Sequence, residues 1–154
     1  MTRACSLVTL LCCLLAASQA WASPYPLEQI LPKEATEKLA AAGVGTSAQL
    51  LQKAAKRGAR AKLAKSTGLE LKKLSEWTKM CDLLRIKGVG PEMTRLLGAA
   101  KVTTVVQLRR QKAPRLMKKI LAANEKAKIS DNPPSEKHLA GWIAEAKKLK
   151  IVIR

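Results

Sequence analysis

The sequence predicts an all-α fold without any sheet, a helical scaffold laid down twice in tandem. Three observations predict it. First, apolar residues recur every three or four positions, as in Leu71, Leu74, Trp77, Cys81 and Leu84, the spacing of one buried helix face. Second, the helix-start pattern Thr-x-x-Gln occurs at Thr46–Gln49 and again at Thr104–Gln107. Third, residues 30–50 repeat at 88–108, with nine of twenty-one positions identical at an offset of 58.

The N-terminus precedes that scaffold. Arg3 is followed by the apolar run LVTLLCCLLAA and then by Ala20-Trp21-Ala22, a small-residue cleavage pattern. Residues 1–22 therefore predict a secretory signal peptide and an exported protein, periplasmic or secreted. The run is too short to span a bilayer, so no transmembrane segment is expected in the mature chain. Cleavage would remove Cys5, Cys12 and Cys13 and leave Cys81 as the single cysteine. No intrachain disulfide is then available, and the core alone must hold the fold.

Two helical repeats are expected to follow, at 23–84 and 85–154. Their first helices are placed near 33–42 and 91–100. Pro91 suits a first helical position, where a missing N–H costs nothing. Gly43 is the expected stop of the first helix, and Lys101 stands at that place in the second copy. The two Thr-x-x-Gln boxes open the next helices. Residues 57–65 predict a short helix ending near Gly68, and 71–84 a longer one. Pro114 is expected to open a helix running to about Asn124. The polar, Pro-rich loop Ser130–Ser135 precedes a last helix capped by Ser135, with Leu139, Trp142, Ile143, Ala146 and Leu149 inward. Its counterpart in the first copy places Trp77 over Trp142, and both tryptophans are expected to be core anchors between the copies. The tail Ile151–Arg154 is apolar but too short to assign.

Composition narrows the function. The chain has 29 basic and 11 acidic residues, a net charge of +18. Without Arg3 the mature charge is +17, which favours polyanions: nucleic acid, anionic lipid head groups, acidic polysaccharide or an acidic protein. Phe is absent and mature aromatics are few, which argues against a stacking platform for single strands. His138 is the lone histidine, and no His, Cys or carboxylate cluster has metal-ligand spacing. No catalytic residue, metal, cofactor or small-molecule substrate is expected.

The stretch Leu84–Leu97, LRIKGVGPEMTRLL, places two glycines around one valine at the start of a helix. Glycine permits positive φ and close approach to the backbone, and a helix N-terminus favours anions. With Leu83, Ile86, Gly88, Val89, Gly90 and Leu97, this stretch resembles the hairpin of the helix-hairpin-helix superfamily. That resemblance implies a grip in which the amides of Gly88 and Gly90 hold a DNA backbone phosphate, Val89 points inward as a pin, and Lys87 stands beside them. Residues 27–150 as a whole resemble an exported bacterial family of unassigned function, whose members pair two such units. The resemblance rests on Leu83–Leu97, on Ala123–Lys126 and on Gly141–Leu149. The first copy departs from the pattern, with Ile30-Leu31-Pro32 in place of Gly88-Val89-Gly90, so one hairpin at most can present amides. Thr94 stands where the superfamily often has Ala. Glu92, in the first helical turn, favours the helix but repels a phosphate.

Basic residues surround this hairpin in sequence: Arg85, Lys87 and Arg95, then Arg109, Arg110, Lys112, Arg115, Lys118 and Lys119. Lys53, Lys56, Arg57, Arg60, Lys62 and Lys65 occupy the corresponding region of the first copy. They either form one long positive track or spread over separate solvated faces. The leading expectation is sequence-independent binding of double-stranded DNA outside the cytoplasm. The alternatives are a structural or protein-interaction module, and adsorption to anionic envelope polymers.

Overall fold

A computed structural model of the chain describes residues 24–153. The signal peptide expected at 1–22 lies outside those residues. The fold is all-helical. A single 3-10 turn, Leu27–Gln29, precedes α1 (Lys33–Ala41), α2 (Ser47–Ala54), α3 (Arg57–Thr67) and α4 (Leu71–Leu83). Four more follow: α5 (Pro91–Ala99), α6 (Val105–Leu108), α7 (Ala113–Ala127) and α8 (Glu136–Lys148). Among the described residues there is no strand, only one isolated antiparallel bridge between Pro26 and Thr46.

Local chemistry explains most boundaries. The Thr46 hydroxyl accepts from the Gln49 amide, and the Gln49 side chain accepts from the Thr46 amide, closing the capping box of α2. At α6 the Thr104 hydroxyl accepts from the Gln107 amide, and the Gln107 side chain accepts from the Thr103 amide at 2.7 Å, as Gln49 also does from the Gly45 amide at 2.8 Å. α1 ends in Gly43 at φ +70°, with the Val44 amide returning to the Leu39 carbonyl. α5 ends identically, except that Lys101 takes the left-handed position at φ +64°. An L-residue is strained there by roughly 1–2 kcal/mol. Lys101→Gly is therefore expected to stabilise the chain by about 0.5–1 kcal/mol, the balance after glycine's extra chain entropy. A thermal midpoint that does not rise would show that Lys101 makes a compensating contact.

Two apolar clusters organise the helices. Leu39, Leu50, Leu51, Leu63, Leu74 and Cys81 centre the first, within α1–α4. Leu83, Leu96, Leu97, Leu108, Ile120 and Ile143 centre the second, within α5–α8 and the end of α4. α4 thus contributes to both. The tryptophans do not bridge the clusters as expected: Trp77 packs on the first and Trp142 belongs to the second. The two halves are joined instead by the C-terminal tail, whose Val152 and Ile153 pack back on the first cluster.

Burial of Cys81, with the Asp82 carboxylate as a lesser cause, pushes its thiol from the ordinary 9.0 up to about 12. Between those values the unfolded chain has released a proton that the folded chain keeps. Stability is expected to fall as pH climbs through that window. Near neutral pH, peptide mapping after brief treatment with a thiol reagent is expected to find native Cys81 unmodified; rapid labelling there would contradict its burial.

A buried ion pair fastens the junction. Asp82 accepts from Arg85 Nη1 at 2.8 Å through Oδ1 and from the Val105 amide at 2.9 Å through Oδ2. Arg85 Nη2 donates to the Lys150 carbonyl at 2.9 Å. One carboxylate and one guanidinium so connect the end of α4, the start of α6 and the tail. In the first half the equivalent amide, Ser47 N, donates to the Tyr25 carbonyl instead.

Candidate functional site

The hairpin is built by short-range hydrogen bonds. α4 stops at Leu83, and the Ile86 amide returns to the Leu83 carbonyl at 3.0 Å. The Val89 amide returns to the Ile86 carbonyl at 3.0 Å, which tightens the turn. Ile86 and Val89 are both buried, so Val89 is the inward pin that the sequence predicts. Gly90 is the N-cap of α5 and Pro91 its first residue. Gly88 is exposed; among the described residues neither its amide nor that of Gly90 meets a hydrogen-bond acceptor.

The two glycines differ in what requires them. Gly88 sits at φ +86°, and a Cβ there would come within 3.2 Å of the Trp142 indole Nε1. Gly90 sits at φ −92°, where any residue is comfortable, and a Cβ there would meet the Tyr25 hydroxyl at an ordinary 3.6 Å. Only Gly88 is demanded by conformation.

Lys87 and Arg95 are exposed beside the turn. Arg85 is not. It is 6% exposed and held by Asp82 and the Lys150 carbonyl, so it belongs to the core clamp and not to the surface. Thr94 is buried with its hydroxyl donating to the Pro91 carbonyl at 2.7 Å. Thr36 makes the same bond to Lys33 in the first half, so a threonine fits this position in both. Glu92 is exposed in the first turn of α5. In the first half, Leu31 is buried and Pro32, which has no N–H, is the N-cap of α1.

Along α7, Arg115, Lys118, Lys119, Ala122 and Lys126 are all exposed, and their spacing puts them within one third of the helix circumference. Lys119 and Lys126 meet Lys101 over a floor of Ala99, Ala100, Ala122 and Ala123. This basic groove lies at the C-terminal end of α5, about 13 Å along the helix from the hairpin. Arg110 and Lys112 are exposed and Arg109 half-buried. In the first half, Arg60 leaves the expected track. It is 7% exposed, donating to the Ala54 carbonyl at 2.8 Å and the Ala55 carbonyl at 3.0 Å, where it closes the end of α2. Lys53 likewise donates to the Ala42 carbonyl at 2.8 Å. Lys56, Arg57, Lys62 and Lys65 are exposed.

Among the described residues no group of three His, Cys, Asp or Glu could hold a metal ion, and no helix is long and apolar enough to cross a membrane. The sequence reasoning missed Tyr25 and Trp142 as residues of the hairpin. Local spacing carries no trace of either, because each arrives from a distant segment.

Comparison with curated proteins returned no match, and comparison with solved structures returned none. One family does match, over residues 28–149, nearly all of the described chain. The protein belongs to that family, the domain of unknown function DUF4332.

Proposed function

We propose that the chain is an exported protein that binds double-stranded DNA without regard to sequence. In this reading it pairs two units of the helix-hairpin-helix type, of which only the second grips phosphate. The observation that supports it is the turn at Gly88–Gly90: two backbone amides without a partner among the described residues, beside the start of a nine-residue helix, one of them on an exposed glycine. Such amides and the helix dipole attract an anionic oxygen. Lys87, Arg95 and the basic stripe of α7 would neutralise neighbouring phosphates, and contacts of this kind position a duplex without reading it. Residues 1–22 would direct export and be removed. No catalysis is assigned.

Fluorescence anisotropy of a labelled duplex across a salt series tests this. Engagement of about six phosphates is expected to lower affinity roughly a thousandfold between 50 and 200 mM salt. Two duplexes of unrelated sequence are expected to bind equally. Gly90→Ala, which the backbone tolerates, is expected to weaken binding several-fold with an unchanged circular dichroism spectrum. The rival is a packing module whose charge adsorbs to any anionic polymer. Salt-sensitive binding that is indifferent to both hairpin glycines would favour that rival.

A further inference from the structure

Trp142 is 8% exposed, yet its indole N–H meets no acceptor among the described residues. The residue is packed into the second cluster, and its indole nitrogen lies 3.2 Å from where a methyl group on Gly88 would stand. Among the described residues no buried side-chain nitrogen or oxygen lacks a partner, so this N–H is the part of Trp142 that solvent, or a ligand, can reach. The Tyr25 hydroxyl, also without a partner among the described residues, lies in the same way against Gly90. Four donors therefore surround one short turn: two amides, an indole N–H and a phenol O–H.

We propose that Trp142 and Tyr25 complete a single oxyanion pocket at the hairpin, donating to the same phosphate group as the amides of Gly88 and Gly90; this rests on the phosphate-grip reading above. The first half supplies the contrast. There the tryptophan counterpart, Trp77, lines a groove with Pro32, Glu34, Glu70 and Glu76. Proline stands in place of the Gly90 amide, and three carboxylates outnumber the two lysines of that groove, Lys38 and Lys73, the first of them paired with Glu34, so an anion meets neither the glycine amides nor a cationic setting there. A side chain at 88 would also push the indole edge away from the turn.

The nitrogen-15 spectrum of the full chain, titrated first with inorganic phosphate and then with a short duplex, reports each donor separately. The Gly88 and Gly90 amides and the Trp142 indole N–H are expected to shift together, at one apparent affinity, while the Trp77 indole stays still. Replacing Trp142 by a benzothienyl analogue, which keeps the ring shape but carries sulfur in place of N–H, assigns the indole signal and is expected to weaken duplex binding about tenfold. Tyr25→Phe is expected to weaken it about threefold. If the amides shift and the indole does not, or the analogue binds as the native chain does, the pocket is overturned and the simple grip stands. If inorganic phosphate moves all three signals but the duplex does not bind, the pocket stands and the DNA reading falls. If neither ligand moves any of them, both are overturned.

Discussion

Asp82→Ala is expected to destabilise the folded chain by about 3–5 kcal/mol, the loss that follows when one partner of a buried ion pair is removed. The carboxylate and the Arg85 guanidinium are 3% and 5% exposed, so water cannot replace either partner. Alanine would leave a desolvated guanidinium and an unpaired Val105 amide. α6 has only four residues, and that amide is held by Asp82 alone. Urea denaturation measures the effect through the shift of the midpoint at constant slope. Replacing both partners together, as in Asp82→Leu with Arg85→Met, is expected to recover much of the loss, because the cost lies mainly in a buried cation deprived of its carboxylate. A single-variant loss below about 1 kcal/mol would mean that solvent reaches the pair.

Gly88→Ala is expected to lower stability by about 1–2 kcal/mol, while Gly90→Ala lowers it by less than about 0.5 kcal/mol. The contrast follows from backbone geometry. Gly88 lies at φ +86° with the Trp142 nitrogen 3.2 Å from the added methyl, whereas Gly90 lies at an ordinary φ with its nearest neighbour at 3.6 Å. Both substitutions place a methyl group where an anionic oxygen would approach, so both are expected to weaken duplex binding. Stability and binding are thereby separated: equal losses of stability would contradict the backbone assignment, and native binding by both variants would contradict the grip.

Helix placement was legible wherever the signal was local. Thr46, Gln49, Gly43, Gly68, Pro91 and Ser135 act on atoms one to five residues away, and each marks a boundary that the structure keeps. α7 runs past the expected Asn124 for a reason that is also local but easily misread. The Asn124 side chain accepts from the Ile129 and Ser130 amides, so it fastens the loop beyond the helix end and does not stop the helix itself. The left-handed Lys128 follows the true end at Ala127.

Charge was legible as a total but not as a location. Arg85 and Arg60 look like surface cations in sequence. Arg85 is covered because the tail returns to it from residue 150, and Arg60 because α4 brings Ser75 to its Nη1. Periodicity in one helix does not reveal which segment will close over it.

By itself the sequence carried the helical class, the cationic total and the Gly-Val-Gly turn at 88–90, since helix class and turn depend on residue type and spacing within a few turns of chain and the total on composition alone. Only the tertiary structure decided what stands around that turn. Tyr25 and Trp142 reach Gly90 and Gly88 from nearly opposite ends of the described chain, because two apolar clusters and a returning tail bring those ends to one corner. Long-range burial, which no local rule encodes, assembled the donors and withdrew Arg85 from their company.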